Sequence, residues 1–225
     1  MENRKHTSLK DLAQALGVSI PTVSRALKDS PEISRELCAK AKALAKEMNY
    51  RPNPFAMSLR KNAPRIIGVI VPDIVTHFFA SILNGIENMA IANGYFVIIT
   101  TSHESYEHEK RNIENLVNMR VEGIIACLSQ ETTDFSHISA LKDINMPLIL
   151  FDRVCLTDQF SSVVADGTQS AQMATQHLLD NGSKRVAFIG GANHLDIVKR
   201  RKHGYLEALR ENRIPIEKEL VVCRK

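Results

Sequence analysis

The sequence predicts a two-part protein: a small all-α unit, then an α/β unit of parallel sheets with helices on both faces. Three observations carry this. From Ile66 onwards short apolar runs, IIGVIV (66–71), YFVIIT (95–100), GIIACL (123–128), PLILF (147–151) and VAFIG (186–190), alternate with amphipathic stretches. Buried runs of that length separated by helical patterns imply βαβ units and parallel pairing. Over the first 50 residues, by contrast, the apolar residues recur only at helical spacing. Charge divides the same way: Met1–Arg65 holds 13 Lys/Arg against 6 Asp/Glu, whereas the whole chain carries a net charge of only +4. A basic N-terminal quarter on an otherwise slightly acidic chain suits contact with a polyanion.

Taken in order, Ser8-Leu-Lys-Asp11 is a capping box ahead of Leu9, Leu12, Ala13 and Leu16 at helical spacing. Gly17 allows the positive φ of a tight turn, Ser19 is a good N-cap, and Pro21 fits a first helical turn. Val23 and Leu27 then share one face, leaving Ile20, Pro21, Thr22, Ser24 and Arg25 pointing elsewhere. This is a helix-turn-helix pattern whose second helix has a buried Val/Leu face and a hydroxyl-rich face with one Arg. Asp29-Ser-Pro-Glu32 is a turn, and Ser34 caps a third helix through Leu37, Ala41, Leu44 and Met48. So small a unit has a small core and is expected to be marginally stable alone. Asn53 and Pro54 then open a helix of barely two turns to Lys61, too short to hold in isolation. Beyond the Lys61–Arg65 linker, helices are expected over about 78–92, 105–119, 133–143, from Asp166 to about 181 and over about 197–210, with a last strand at 219–223. Ser161–Val164 reads as a less regular stretch.

The composition, 44% hydrophobic and 24% charged over 225 residues, is that of a globular chain. Cys38, Cys127, Cys155 and Cys223 show neither CxxC spacing nor a nearby His pattern, so they read as core residues of a reduced, cytoplasmic protein. No apolar run follows the N-terminal basic residues, and no stretch reaches the ~20 apolar residues of a membrane span. Catalysis has little support. His103-Glu104 and His108 miss the HExxH spacing by one residue, and Gly190-Gly191 is not GxGxxG. No cofactor, metal or catalytic residue is expected.

The stretches TSLKDLAQALGVSIPTVSRALKDSPEIS, NYRPNPFAMSLRKN and IIGVIVPDI closely resemble the N-terminus of the lac/galactose repressor (LacI/GalR) family of bacterial transcription regulators. Later matches are LFDR, Asp166-Gly167 and RRKHGYLEAL, so the resemblance covers nearly the whole chain and is most specific in its first third. It implies a DNA-binding headpiece (1–51), a hinge helix and linker (52–64), and a periplasmic-binding-protein-like effector core. That core comprises an N-terminal subdomain (65–165) and part of a C-terminal one (166–225), since family members run on well beyond the match to Lys225. The resemblance further implies a homodimer on a palindromic double-stranded operator. Ile20, Pro21 and Arg25 would face base edges, with Arg25 placed for bidentate readout of a guanine. Ser19, Thr22, Ser24 and Asn53 would hold phosphates. Leu59, flanked by Ala56 and Arg60, would wedge into the minor groove. Asp73, Phe78, Phe79, Asp152 and Arg201 would contact a small effector, a sugar or nucleoside, at strand ends facing a cleft. Two other readings use the same residues: a regulator that occupies operators or forms mixed dimers without sensing, and a small-molecule-binding module with an idle headpiece.

Overall fold

The computed structural model describes residues 7–50 and 65–224. The chain divides into two compact units, Met1–Asn62 and Ala63–Lys225.

The first unit holds α1 (Leu9–Leu16), α2 (Ile20–Ala26) and α3 (Arg35–Glu47). Each start is capped as its sequence dictates. Asp11 N donates to Ser8 Oγ while Ser8 N donates to Asp11 Oδ2, a reciprocal capping box. Ser19 and Ser34 accept from Thr22 N and Leu37 N in the same way. Gly17, at φ 64°, ends α1 in the left-handed region, and Val18 N donates back to Ala13 O across the turn. Leu12, Ala13, Val23 and Ala45 form one buried cluster and Ala26, Cys38 and Ala41 another. Four of these seven residues are alanines, so the helices approach closely around a core of little volume. The expected hinge helix over Pro54–Lys61, with Asn53, Ala56, Leu59 and Arg60, lies outside the described residues.

The second unit begins with five parallel strands in the order β2-β1-β3-β4-β5: β1 (Ile66–Val71), β2 (Phe96–Thr101), β3 (Gly123–Ala126), β4 (Leu148–Phe151) and β5 (Ser161–Val163). Helices α4 (His77–Ala92), α5 (Tyr106–Asn118) and α6 (Ser136–Asp143) connect them. Side chains alternate across β1: Ile66 and Ile70 join Ile113, Leu116, Ile124 and Leu150 on one face, Val69 and Val71 join Phe79, Leu83 and Phe151 on the other. Gly68 lies under α5, where a Cβ would meet Leu116 Cδ1 at 2.6 Å, so the glycine sets how near that helix can come. Two expectations change here. Ser161–Val163, read as irregular, is an edge strand; all three residues are exposed, so no apolar run marks it. YFVIIT, read as a fully covered strand, becomes the opposite edge, β2, with Phe96 and Ile99 exposed.

A second sheet pairs β6 (Phe188–Ala192) with β7 (Val221–Arg224), in parallel, beside α7 (Gly167–Asp180) and α8 (Asp196–Glu211). Val186, Tyr205 and Leu209 form its core, and Tyr205 Oη donates to Val186 O at 2.9 Å. α7 and α8 cross at Gly204, where a Cβ would lie 2.0 Å from Thr168 O.

The most deeply buried charge-bearing side chain among the described residues belongs to the first sheet. Glu109 of α5 is 1% exposed, accepts from Ser129 N at 2.6 Å and Thr132 Oγ1 at 2.9 Å, and shares a hydrogen bond of 2.8 Å with His137 Nε2. Those partners sit on the β3–α6 loop and on α6, so one carboxylate fixes the path of the chain leaving β3. Removing it leaves three buried polar groups without their partner. Glu109→Ala is expected to lower the stability of the second unit by ~3–5 kcal/mol, read as the shift in the urea midpoint at unchanged slope.

Candidate nucleic-acid interface and effector cleft

α2 exposes one face and buries the other. Val23 and Ala26 are fully buried, whereas Ile20, Pro21 and Arg25 are exposed. The turn at Gly17 and the cap at Ser19 orient the helix so that these three residues face solvent together. Thr22 and Ser24 are half-buried at the edges of that face, and Ser19 Oγ lies 2.8 Å from Thr22 Oγ1. The surface therefore offers two apolar groups, a row of hydroxyls and one guanidinium, a set suited to base edges and phosphates rather than to bond making. Sequence reasoning missed a further participant: Arg25 Nη1 donates to Glu32 Oε2 at 2.8 Å. The pair spans seven residues across a turn, outside the i,i+4 spacing that flags helical ion pairs.

Of the expected effector residues, Asp73 and Asp152 stand at the C-terminal ends of β1 and β4, while Phe78, Phe79 and Arg201 lie on helices. Asp73 follows β1 and accepts from Val75 N at 2.9 Å, closing a short side-chain turn. Phe78 and Phe79 part company: Phe78 is 50% exposed, while Phe79, 6% exposed, packs edge-on to Phe151 in the core. Asp152 ends β4 with φ 57°, in the left-handed region that aspartate tolerates better than most non-glycine residues. Burial pushes the Asp152 carboxyl above the usual aspartate range, and the nearby Arg153 and Arg201 guanidiniums partly oppose this. Arg201 is exposed on α8, its stem beside Gly167, near enough for its charge to act on the Asp152 carboxyl. Asp73 and Phe78 stand two strands away along the same edge, ~10 Å at the usual strand spacing.

A cavity of about 290 Å³ is lined by Ser129, Thr132, Phe135, Arg153, His194 and Lys199 among others, and none of Asp73, Phe78, Phe79, Asp152 and Arg201 lines it. Arg153 is bidentate to Glu104, through Nη1 and Nη2 at 2.7 and 3.0 Å, and also donates to Leu128 O. His194 Nε2 contacts Gln130 O at 2.6 Å and so joins the second sheet's loop to the first sheet's. Only Arg153 was signalled in sequence, by standing next to Asp152; the rest arrive by folding. Burial pushes the Cys127 and Cys155 thiols up to about 12, so neither is a thiolate nucleophile. Among the described residues no cluster of His, Cys, Asp and Glu could hold a metal, and no helix is long and apolar enough to cross a membrane.

Comparison with known proteins gives this arrangement a context. Residues 8–53 match the family described as bacterial regulatory proteins, lacI family, and residues 65–223 match periplasmic binding proteins and sugar binding domain of LacI family. The chain is 32% identical to catabolite control protein A of Priestia megaterium, over 96% of this chain and 65% of that one. It is 31% identical to the ribose operon repressor of Bacillus subtilis (strain 168), over 93% and 62%. The lac repressor dimer bound to operator and the anti-inducer ONPF superposes with a TM-score of 0.76 at 25% identity, over 97% of this chain and 65% of that one. The chain thus spans under two thirds of the length of these regulators. It belongs to the LacI family of bacterial regulatory proteins.

Proposed function

We propose that this protein is a sequence-specific transcriptional repressor that binds a palindromic operator as a homodimer and answers to a small effector, a sugar or nucleoside. The observation that carries the reading is the exposed face of α2, with Ile20 and Pro21 for apolar contact and Arg25 for a guanine edge. Ser19, Thr22 and Ser24 would set the register on phosphates. Asn53, Ala56, Leu59 and Arg60 would follow as the hinge (52–64) between headpiece (1–51) and core, with Leu59 as the minor-groove wedge. The core would sense its ligand through Asp73, Phe78, Asp152 and Arg201, with Phe79 backing Phe78 from the core side. This accords with the sugar-binding description of the matching family. Arg25→Ala is expected to cost ~1–3 kcal/mol of discrimination at one base pair per half-site. Titration of a duplex selected by this chain and of its scrambled counterpart measures this, and an unchanged affinity ratio would rule the base contact out.

Dimerisation is supported by the apolar edge that α4 and β2 present. Ile74, Leu83 and Ile99 line one groove between these elements, and Met89 and Phe96 are exposed nearby on them. A second copy of the chain is the natural cover for such a surface. Ile99→Glu should shift the association state to monomer in sedimentation; a variant that associates like the parent would count against this interface.

Asp152 yields a prediction on ligand binding and one on stability. Because folding raises its pKa, the unfolded chain gives up this proton first, and stability falls as pH rises from the ordinary aspartate value through the raised one. Asp152→Asn should therefore gain stability over the parent as pH rises through that window and hold the gain at neutral pH. The same variant should lose the heat of effector binding in calorimetry against sugars and nucleosides. A parent chain that gives no heat with any of them would favour operator occupancy without sensing.

A further inference from the structure

Glu32 is the side chain on which the geometry of the α2 face turns. Its backbone is fixed from both sides. Lys28 N and Ser30 N both donate to Arg25 O at 3.1 Å, Pro31 restricts the turn, and Ile33 N donates to Ser30 O before its side chain packs on Ala26, Cys38 and Ala41. The Glu32 carboxylate is thus presented to the guanidinium of the same residue whose carbonyl anchors the turn. Three other carboxylates of this unit are engaged elsewhere: Asp11 in the capping box, Asp29 with Lys42, and Glu36 with Lys40. Both members of the Arg25–Glu32 pair are about two-thirds exposed, so the pair contributes next to nothing to folding and stability does not explain it.

We propose that Glu32 is a specificity-determining residue for DNA recognition, a positioning carboxylate that holds Arg25 in its reading pose and penalises docking where Arg25 finds no guanine. The inference rests on the reading of Arg25 as a base contact. A guanidinium carries five N–H donors, and Glu32 engages one of them, on Nη1, leaving enough for the O6/N7 edge of guanine. In water the contact is weak; inside a groove that excludes solvent the same charge pair strengthens. The acidic charge has a second effect. It faces a polyanion, and on a sequence without a correctly placed guanine its repulsion from phosphate is not offset by a held Arg–base contact.

The experiment uses the full chain and a duplex it selects from a random library, with a scrambled duplex as the nonspecific probe. Glu32→Gln keeps the size of the side chain and an acceptor oxygen but removes the charge. It should tighten binding to the scrambled duplex roughly 3-fold at moderate salt and lower the specific-to-scrambled affinity ratio on the order of 5-fold, with the thermal midpoint unchanged. In an Arg25→Ala background, Glu32→Gln should still tighten scrambled binding but no longer lower the ratio, because the guanidinium it positions is gone. If Arg25→Ala lowers the ratio while Glu32→Gln leaves both affinities at parental values, the role of Glu32 is overturned and that of Arg25 stands. If Arg25→Ala itself leaves the ratio unchanged, both fall.

Discussion

The carboxylate of Glu109 sits where three segments distant in sequence have to meet, and the shape of the cleft edge follows from satisfying it. Ser129 and Thr132 leave β3 around it, His137 opens α6 against it, and Tyr106 at the start of its own helix stacks edge-on to that His ring 5.1 Å away. An anion so deeply buried is tolerable only with its acceptor capacity filled, which leaves this loop little freedom of path. Ser129 and Thr132 also line the cavity next to Arg153, so this buried carboxylate fixes part of the cavity wall.

The headpiece follows a different economy. Its core is too small to impose much by burial, and its form comes from local hydrogen bonds: three serine caps, one left-handed glycine and a turn closed onto the carbonyl of Arg25. Local bonds of that kind set the start and direction of short helices without needing a large interior. What they leave exposed on α2 is a face carrying Ile20, Pro21 and Arg25, which can be given over to recognition.

This contrast also explains what could be read from the sequence. Caps and turns act within a few residues, so Ser8, Gly17, Ser19 and Ser34 could be placed from neighbours alone. Strands β1, β3 and β4 lie inside the sheet and, apart from exposed Ile149, carry buried or half-buried side chains, so they announce themselves as apolar runs. β5 does not, because Ser161–Val163 lie exposed at a sheet edge and gain their place from pairing with β4. Of the cleft residues, Asp152 was legible as a carboxylate at a strand end, but its electrostatic coupling to Arg201 depends on chain brought in from the next lobe. Glu32 was read only as part of a turn; its partnership with Arg25 needs the turn to be folded. Hydrogen bonds that span 20 residues or more, such as those of Glu109, leave no periodic trace in the sequence.

The contact between α7 and α8 at Gly204 has a mechanical side. Backbone lies against backbone there, so any side chain at residue 204 would force the two helices apart. Residues 164–166 carry the chain from β5 into this pair of helices, and away from that crossing the two sheets' loops meet again, where His194 Nε2 lies 2.6 Å from Gln130 O.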